Sequence, residues 1–147
     1  LTQLSVYMND RLIGIDFGLS KVGLSISDPL KIISIPLRVI KYKNRGELLS
    51  NLKEIAIENN VKSFVIGYPL NMNNKKNEMT KLVDELFEEL KNLNFNVFLQ
   101  DERLSSESAK KIMHEQNIKT GKNKEHIDLI ASTIILQSFL DKGEFND

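Results

Sequence analysis

Residues 11–28, RLIGIDFGLSKVGLSISD, constrain the fold more than any other stretch, because they alternate with period two on either side of a short turn. Leu12, Gly14 and Asp16 fall on one side of an extended strand, and Ile13, Ile15 and Phe17 on the other. Gly18-Leu19-Ser20 supplies the turn, and Val22, Leu24 and Ile26 alternate again, which predicts a β-hairpin. An otherwise apolar strand thus ends on a carboxylate. A lone charge removed from water is costly, so Asp16 needs a cation, a basic partner or bulk water. On this stretch alone, a wet strand end that caps the turn and a functional site are both open readings.

Further along, Ile32 to Ile40 reads as a third strand, with Pro36 pointing to an edge or a bulge. From Glu47 the period becomes helical, through Leu48, Leu49, Leu52, Ile55 and Ala56 to a stop at Asn59-Asn60. Val61 to Ile66 is a β-branched, buried strand leading into a Gly67-Tyr68-Pro69-Leu70-Asn71 loop. Met79, Leu82, Val83, Leu86, Phe87 and Leu90 make a second amphipathic helix, and Phe95 to Gln100 another strand. Ser105 or Ser106 caps a further helix with Ala109, Ile112 and Met113 inward, before a basic loop from Asn117 to Lys124. The last helix, about His126 to Asp141, is apolar on most sides.

The order β-β-β-α-β-α-β-α-α predicts one α/β domain over residues 11–141, with residues 1–10 as an extension and 142–147 as a tail. Its mixed sheet is an antiparallel three-strand meander plus two further strands, flanked by helices. A chain of 147 residues suffices for this, since a domain of that size buries roughly 70% of its unfolded surface. No cysteine is present, which excludes disulfides, thiol catalysis and thiolate metal sites and points to the cytoplasm. No apolar run is long enough for a membrane span.

Charge is balanced, at 20 Lys+Arg against 20 Asp+Glu, so the chain as a whole does not advertise a polyanion partner. Locally, Lys31, Arg38, Lys41, Lys43 and Arg45 run without an intervening acid, and Lys110, Lys111, Lys119, Lys122 and Lys124 cluster around a single Glu115. Either stretch can contact phosphates or be an ordinary solvated face.

Three acidic positions lie at the ends of different elements. Asp128 sits in the otherwise greasy last helix, next to small residues Ala131 and Ser132 that would let the helix lie close to the sheet. A first-turn acid favoured by the helix dipole is the plainer reading. Asp101 and Glu102 close the last strand, at the strand end where ligands of open sheets gather. Neighbours in a strand face opposite ways, so only one of the two is expected to face a site, the other pairing with Arg103 or capping the next helix. Carboxylates converging from three elements suit Mg²⁺ or Mn²⁺, hard cations that prefer oxygen ligands. His114 and His126, the only histidines, read as surface helix residues.

Four blocks in this order resemble the YqgF/RuvX family of RNase H-like nucleases: GIDFGLSKVGLSISD, GYPLNMN at 67–73, DERLSS at 101–106 and HIDLIASTIILQSFLD at 126–141. Tyr68 stands where the family loop carries leucine, a difference that bears on substrate fit more than on chemistry. The resemblance implies an RNase H-like fold and a metal-dependent phosphodiesterase acting in 5′-end maturation of the small-subunit ribosomal RNA precursor, or as a Holliday junction resolvase on branched DNA. It implies Asp16, Asp128 and Glu102 as metal ligands, with Asp101 the alternative third acid. Gly18, Lys21, Pro69, Asn71 and Arg103 are the expected substrate-binding residues. Water would attack phosphorus to leave 5′-phosphate and 3′-hydroxyl ends, with neither histidine required as base. Nucleic acid is the expected partner, and the protein a monomer or homodimer. Two other readings compete. An ATPase of the actin or sugar-kinase type has a similar hairpin but closes two domains on its nucleotide, and this chain has the length of one. A nucleic-acid-binding module that kept the fold without the chemistry would have less reason to retain all three acids.

Overall fold

The computed structural model describes residues 10–70, 73, 75–102 and 124–143. Within them the strands are β1 Arg11–Phe17, β2 Lys21–Ser27, β3 Ser34–Lys41, β4 Val61–Tyr68 and β5 Asn96–Asp101. The helices are α1 Arg45–Glu58, α2 Glu78–Asn92 and α3 Lys124–Lys142. The helix expected after Ser105 or Ser106 lies outside the described residues.

One five-stranded sheet runs in the order β3-β2-β1-β4-β5. The hairpin and β3 are antiparallel, whereas β1 pairs in parallel with β4 and β4 with β5. This is the mixed sheet expected from the sequence. Its carboxyl-terminal edge places the ends of β1, β4 and β5 side by side.

Each face of the sheet follows from the period of two. Ile13, Ile15, Phe17, Val22, Leu24 and Ile26 belong to a core that also takes Leu48, Leu52 and Ile55 of α1 and Val83, Leu86 and Leu90 of α2. On the opposite face Leu12 and Val65 pack with Ile135, Leu136, Phe139 and Leu140 of α3. Asp16 shares the parity of Leu12, and therefore the side of α3.

The local signals explain the boundaries. Asn44 caps α1 by accepting from the Glu47 amide, and Asn77 forms a reciprocal capping box with Thr80 at the start of α2. Both helices give way to asparagines in left-handed backbone, Asn60 at φ 54° and Asn94 at φ 72°. Pro36 sits in the edge strand β3, opposite a shift of register between Leu24 and Ser25, so edge and bulge occur together. Gly67 and Tyr68, read from sequence as loop, extend β4 and pair with Gln100 and Asp101.

The face beneath α3 is lined with small residues. A side chain at Gly14 would collide with Ser25 Oγ and come within 2.8 Å of Leu136 Cβ and 3.2 Å of the Ser132 carbonyl oxygen. Hydroxyls take up the polar groups brought together there. Ser25 Oγ donates to the Ser132 carbonyl at 2.9 Å, and Ser132 Oγ donates to the Gly14 carbonyl at 3.0 Å. Further along α3, the Gln137 side chain accepts from the Ser34 amide at 2.9 Å and donates to the Ile32 carbonyl at 2.9 Å. From residue 126 onward one stripe of this apolar helix is fully buried, from Ala131 and Ser132 to Phe139 and Leu140.

Because the obstruction at Gly14 includes helix backbone, the methyl of a Gly14→Ala substitution cannot be absorbed by a rotamer change. We expect a loss of about 1–3 kcal/mol, read as a fall in Tm of about 2–4 °C for each kcal/mol in a thermal melt. A melt unchanged by the substitution would contradict the close approach.

Candidate metal site

The site begins with the position of Asp16, next to last in β1. Across the hairpin its partner is Gly23. A side chain at Gly23 would strike the Asp128 carbonyl oxygen and lie 3.1 Å from Asp128 Cβ. The bare Gly23 therefore lets the start of α3 settle on the sheet beside Asp16, bringing Asp128 with it. Asp128 is the fifth residue of a helix that starts at Lys124, two residues earlier than the sequence reading placed it. It thus lies beyond the exposed first amides, and dipole stabilisation accounts for it less well than the first-turn reading supposed.

The third acid is brought by the parallel strands. Asp101 ends β5 opposite Tyr68 and is exposed. Glu102 follows, half-buried, with its amide donating to the Tyr68 carbonyl at 3.2 Å. Its Oε2 lies 2.8 Å from where a Cβ at Gly67 would stand, so the missing side chain at Gly67 makes room for this carboxylate. Glu102 rather than Asp101 turns toward Asp16, and the two carboxyl groups share a side-chain hydrogen bond.

Electrostatics follow from the geometry. The Asp16 carboxyl is pushed up to about 8, first by burial, then by the charges of Glu102 and Asp128, and by its hydrogen bond to Glu102. Burial also raises Glu102, with Asp101 adding to the rise, while the hydrogen bond from Asp16 opposes it. Two half-buried carboxyls joined by a hydrogen bond are the arrangement expected where negative charge is concentrated without enough positive charge to match.

Asp128 shows the same deficit differently. Its Oδ2 is buried and makes no hydrogen bond. The Lys21 ammonium stands 3.1 Å from it as an ion pair whose geometry is not that of a hydrogen bond. An all-oxygen set of acids with an unsatisfied buried oxygen fits a hard divalent cation. Among the described residues, however, no three acidic or histidine side chains already stand in a closed coordinating cluster. The arrangement is a proton-sharing pair with a third acid in electrostatic range.

The other expected residues are distributed as follows. Gly18 forms the hairpin turn, and its carbonyl accepts from the Tyr42 hydroxyl. The Pro69 carbonyl accepts from Asn77 Nδ2 at 2.7 Å, which ties the segment after β4 to the start of α2. The Tyr68 hydroxyl donates to Asp84 of α2 at 3.2 Å. Asn71, Arg103 and His114 lie outside the described residues, and His126 is exposed on α3. The first basic stretch is less available than its sequence suggests. Arg45 pairs with Glu85 and Glu89, Arg38 with Glu58, and Lys31 with Asp10. Of the second stretch, residues 110–122 lie outside the description. The contributions of Gly23, Ser25 and Gly67 are not evident from sequence, although Gly23 and Ser25 stand two apart on β2, on the face of Lys21.

The sequence model of the RuvX family, described as Holliday junction resolvase, matches residues 10–142. A relative from Ruminiclostridium cellulolyticum, with the provisional name pre-16S rRNA nuclease, is 39% identical over 134 residues, 90% of this chain and 94% of its own. Another of that name from Mycoplasmopsis synoviae is 38% identical over 133 residues, 89% of this chain and 97% of its own. Among solved structures, Thermus thermophilus RuvC in complex with Holliday junction substrate superposes with a TM-score of 0.54 at 13% identity, covering 92% of this chain and 96% of that one. The fowlpox virus resolvase bound to Holliday junction DNA gives 0.58 at 10% identity, with 91% and 99% covered. Likeness at such low identity concerns the fold, which is RNase H-like. Sequence identity of this extent and a family match across nearly the whole described fold place the chain in the RuvX family.

Proposed function

We propose that this chain is a cytoplasmic nuclease that hydrolyses phosphodiester bonds in the 5′-end maturation of precursor 16S ribosomal RNA, using Mg²⁺ or Mn²⁺ held by Asp16, Glu102 and Asp128. The observation that carries the reading is the half-buried Asp16–Glu102 pair at the carboxyl ends of β1 and β5, on either side of β4, with Asp128 set beside it by α3. The names of relatives with 38–39% identity support the ribosomal RNA substrate.

A divalent cation supplies activation of water at neutral pH and charge neutralisation at the leaving oxygen. The protein's residues make that possible. Asp16 and Glu102 would hold the cation as carboxylates, their shared proton passing to solvent water. Gly67 leaves the space in which the Glu102 carboxylate sits. The Gly18 turn, held by Tyr42, follows β1 and the Pro69 segment, held by Asn77, follows β4, so both would meet a phosphodiester backbone brought to the acids. Asn71 and Arg103 are assigned to substrate contact by their place in the family blocks. The family's description as a resolvase favours branched DNA as the second reading.

One assay tests both substrates. Wild type is expected to cut precursor 16S rRNA in Mg²⁺ or Mn²⁺ and to stop in EDTA, with junction DNA run in parallel. Asp16→Asn should lower cleavage about 100-fold or more. A wild type that cuts neither substrate with metal present, or an Asp16→Asn protein that cuts as well, would overturn the nuclease reading. Gly67→Ala should fold, because the atoms it crowds are the movable ends of Ile135 and Glu102, yet bind Mn²⁺ more weakly in a calorimetric titration by displacing Glu102.

Proton linkage gives a third expectation. In the metal-free folded chain Asp16 keeps its proton up to about 8, against an ordinary value of 3.8. The folded state therefore binds more protons across that window, and stability falls as pH rises through it. In EDTA near neutral pH, Asp16→Asn should melt higher than wild type by about 2–4 °C per kcal/mol relieved, and the advantage should vanish near pH 4. Saturating Mn²⁺ should reverse the order, since binding at 100 times Kd adds about 2.7 kcal/mol to wild type.

A further inference from the structure

The Tyr68 hydroxyl plays no part in the chemistry described above, yet it is tied to a specific partner. It donates to Asp84 Oδ2 of α2 at 3.2 Å, while Asn77 Nδ2 donates to the neighbouring Pro69 carbonyl at 2.7 Å. Asn77 and Asp84 stand two helical turns apart and so on one side of α2. Both line an open groove of about 610 Å³, whose other walls are Lys76, Glu78, Thr80 and Lys81. Tyr68 is also where β4, the segment beyond it and the acids meet. Its carbonyl accepts from the Glu102 amide at 3.2 Å and from the Leu70 amide at 3.0 Å, which closes a tight turn on Pro69. Its half-buried ring packs against the core shared with α1 and α2, so loss of the hydroxyl alone leaves that packing in place.

We propose that Tyr68 is a positioning residue for the substrate strand. Its bond to Asp84 holds the Pro69–Leu70 turn in the shape that meets the phosphodiester backbone where the strand passes from the acids toward the groove on α2. The proposal deepens the nuclease reading and rests on it for the nature of the strand. Glu102 does not need the hydroxyl, because the pairing of Gly67 and Tyr68 with Gln100 and Asp101 already places it. The turn beyond Tyr68 lies outside that ladder. Backbone that leaves a sheet keeps conformational freedom unless something fixes it, and freedom lost on binding weakens binding. A turn fixed beforehand at Tyr68 and Pro69 avoids that loss, so the hydroxyl acts on substrate affinity and not on the bond-breaking step.

Binding is read by fluorescence anisotropy of a labelled single-stranded fragment of precursor 16S rRNA, on full chains carrying Asp16→Asn to suppress cleavage. Adding Tyr68→Phe should weaken binding about three- to tenfold, the effect of losing one hydrogen bond that orders a turn. With Asp16 restored, initial rates should show KM raised by the same factor and kcat unchanged. Asp84→Asn keeps an acceptor for the hydroxyl and should bind as its parent. Asp84→Leu should match Tyr68→Phe, and the two together should bind no more weakly than either alone. Binding within about twofold of the parent in a folded Tyr68→Phe chain, a fall in kcat at constant KM, or normal binding by Asp84→Leu would overturn the proposal and leave the nuclease reading intact. If Tyr68→Phe does not give the parent's circular dichroism spectrum, Asp84→Leu decides alone. A wild type that binds this RNA without ever cutting it would overturn the nuclease reading only, and one that binds no RNA would overturn both.

Discussion

The contact of α3 with the small-residue face of the sheet is the constraint on which the site depends. Gly14, Gly23 and Ser25 present almost no side chain to the helix, and Ser132 presents little to the sheet. Close approach brings backbone carbonyls into a dry interface, where an unpaired polar group costs about 1–3 kcal/mol. The Ser25 and Ser132 hydroxyls satisfy those groups instead. Affinity between the layers therefore comes from apolar packing at Ile135, Leu136, Phe139 and Leu140, while the hydroxyls set the height and register of the helix. An oily helix could slide along an oily sheet. One fastened at two specific carbonyls holds Asp128 at a defined place.

The same geometry explains why negative charge accumulates at this end of the molecule. Parallel pairing of β1, β4 and β5 aligns their carboxyl ends, so acids far apart in sequence arrive in one neighbourhood. The protein accommodates this with a side-chain hydrogen bond between Asp16 and Glu102 and with Lys21 set against Asp128. These are two distinct answers to one electrostatic problem. One is a hydrogen bond between two acids, the other an ion pair across the contact of β2 with α3.

Much of this was legible in the residues. The alternation through residues 11–28 assigned Asp16 to the face of Leu12 and Gly14, and the structure places that face under α3. Helical spacing located α1 and α2, and the four ordered blocks pointed to the family. Boundaries were less legible. Gly67 and Tyr68 look like the start of a loop, but pairing with β5 supplies ladder hydrogen bonds that local propensity does not report. The basic run from Lys31 to Arg45 looked like a phosphate-binding stretch. Three of its side chains meet acids contributed by Asp10, α1 and α2, partners that no count along the chain reveals.

The sequence by itself determined the layer order and the parity of each strand, because periods of two and 3.6 are properties of the local backbone. It also determined the acidic, cysteine-free character of the candidate ligand set. Tertiary structure alone decided that Glu102 and not Asp101 faces Asp16, that Gly23 and Gly67 are the gaps admitting the other two acids, and that Lys21 stands against Asp128. Those outcomes depend on the register between strands and on the height of a helix above them. A shift of one residue in register would present the opposite face, and nothing in the linear pattern sets it.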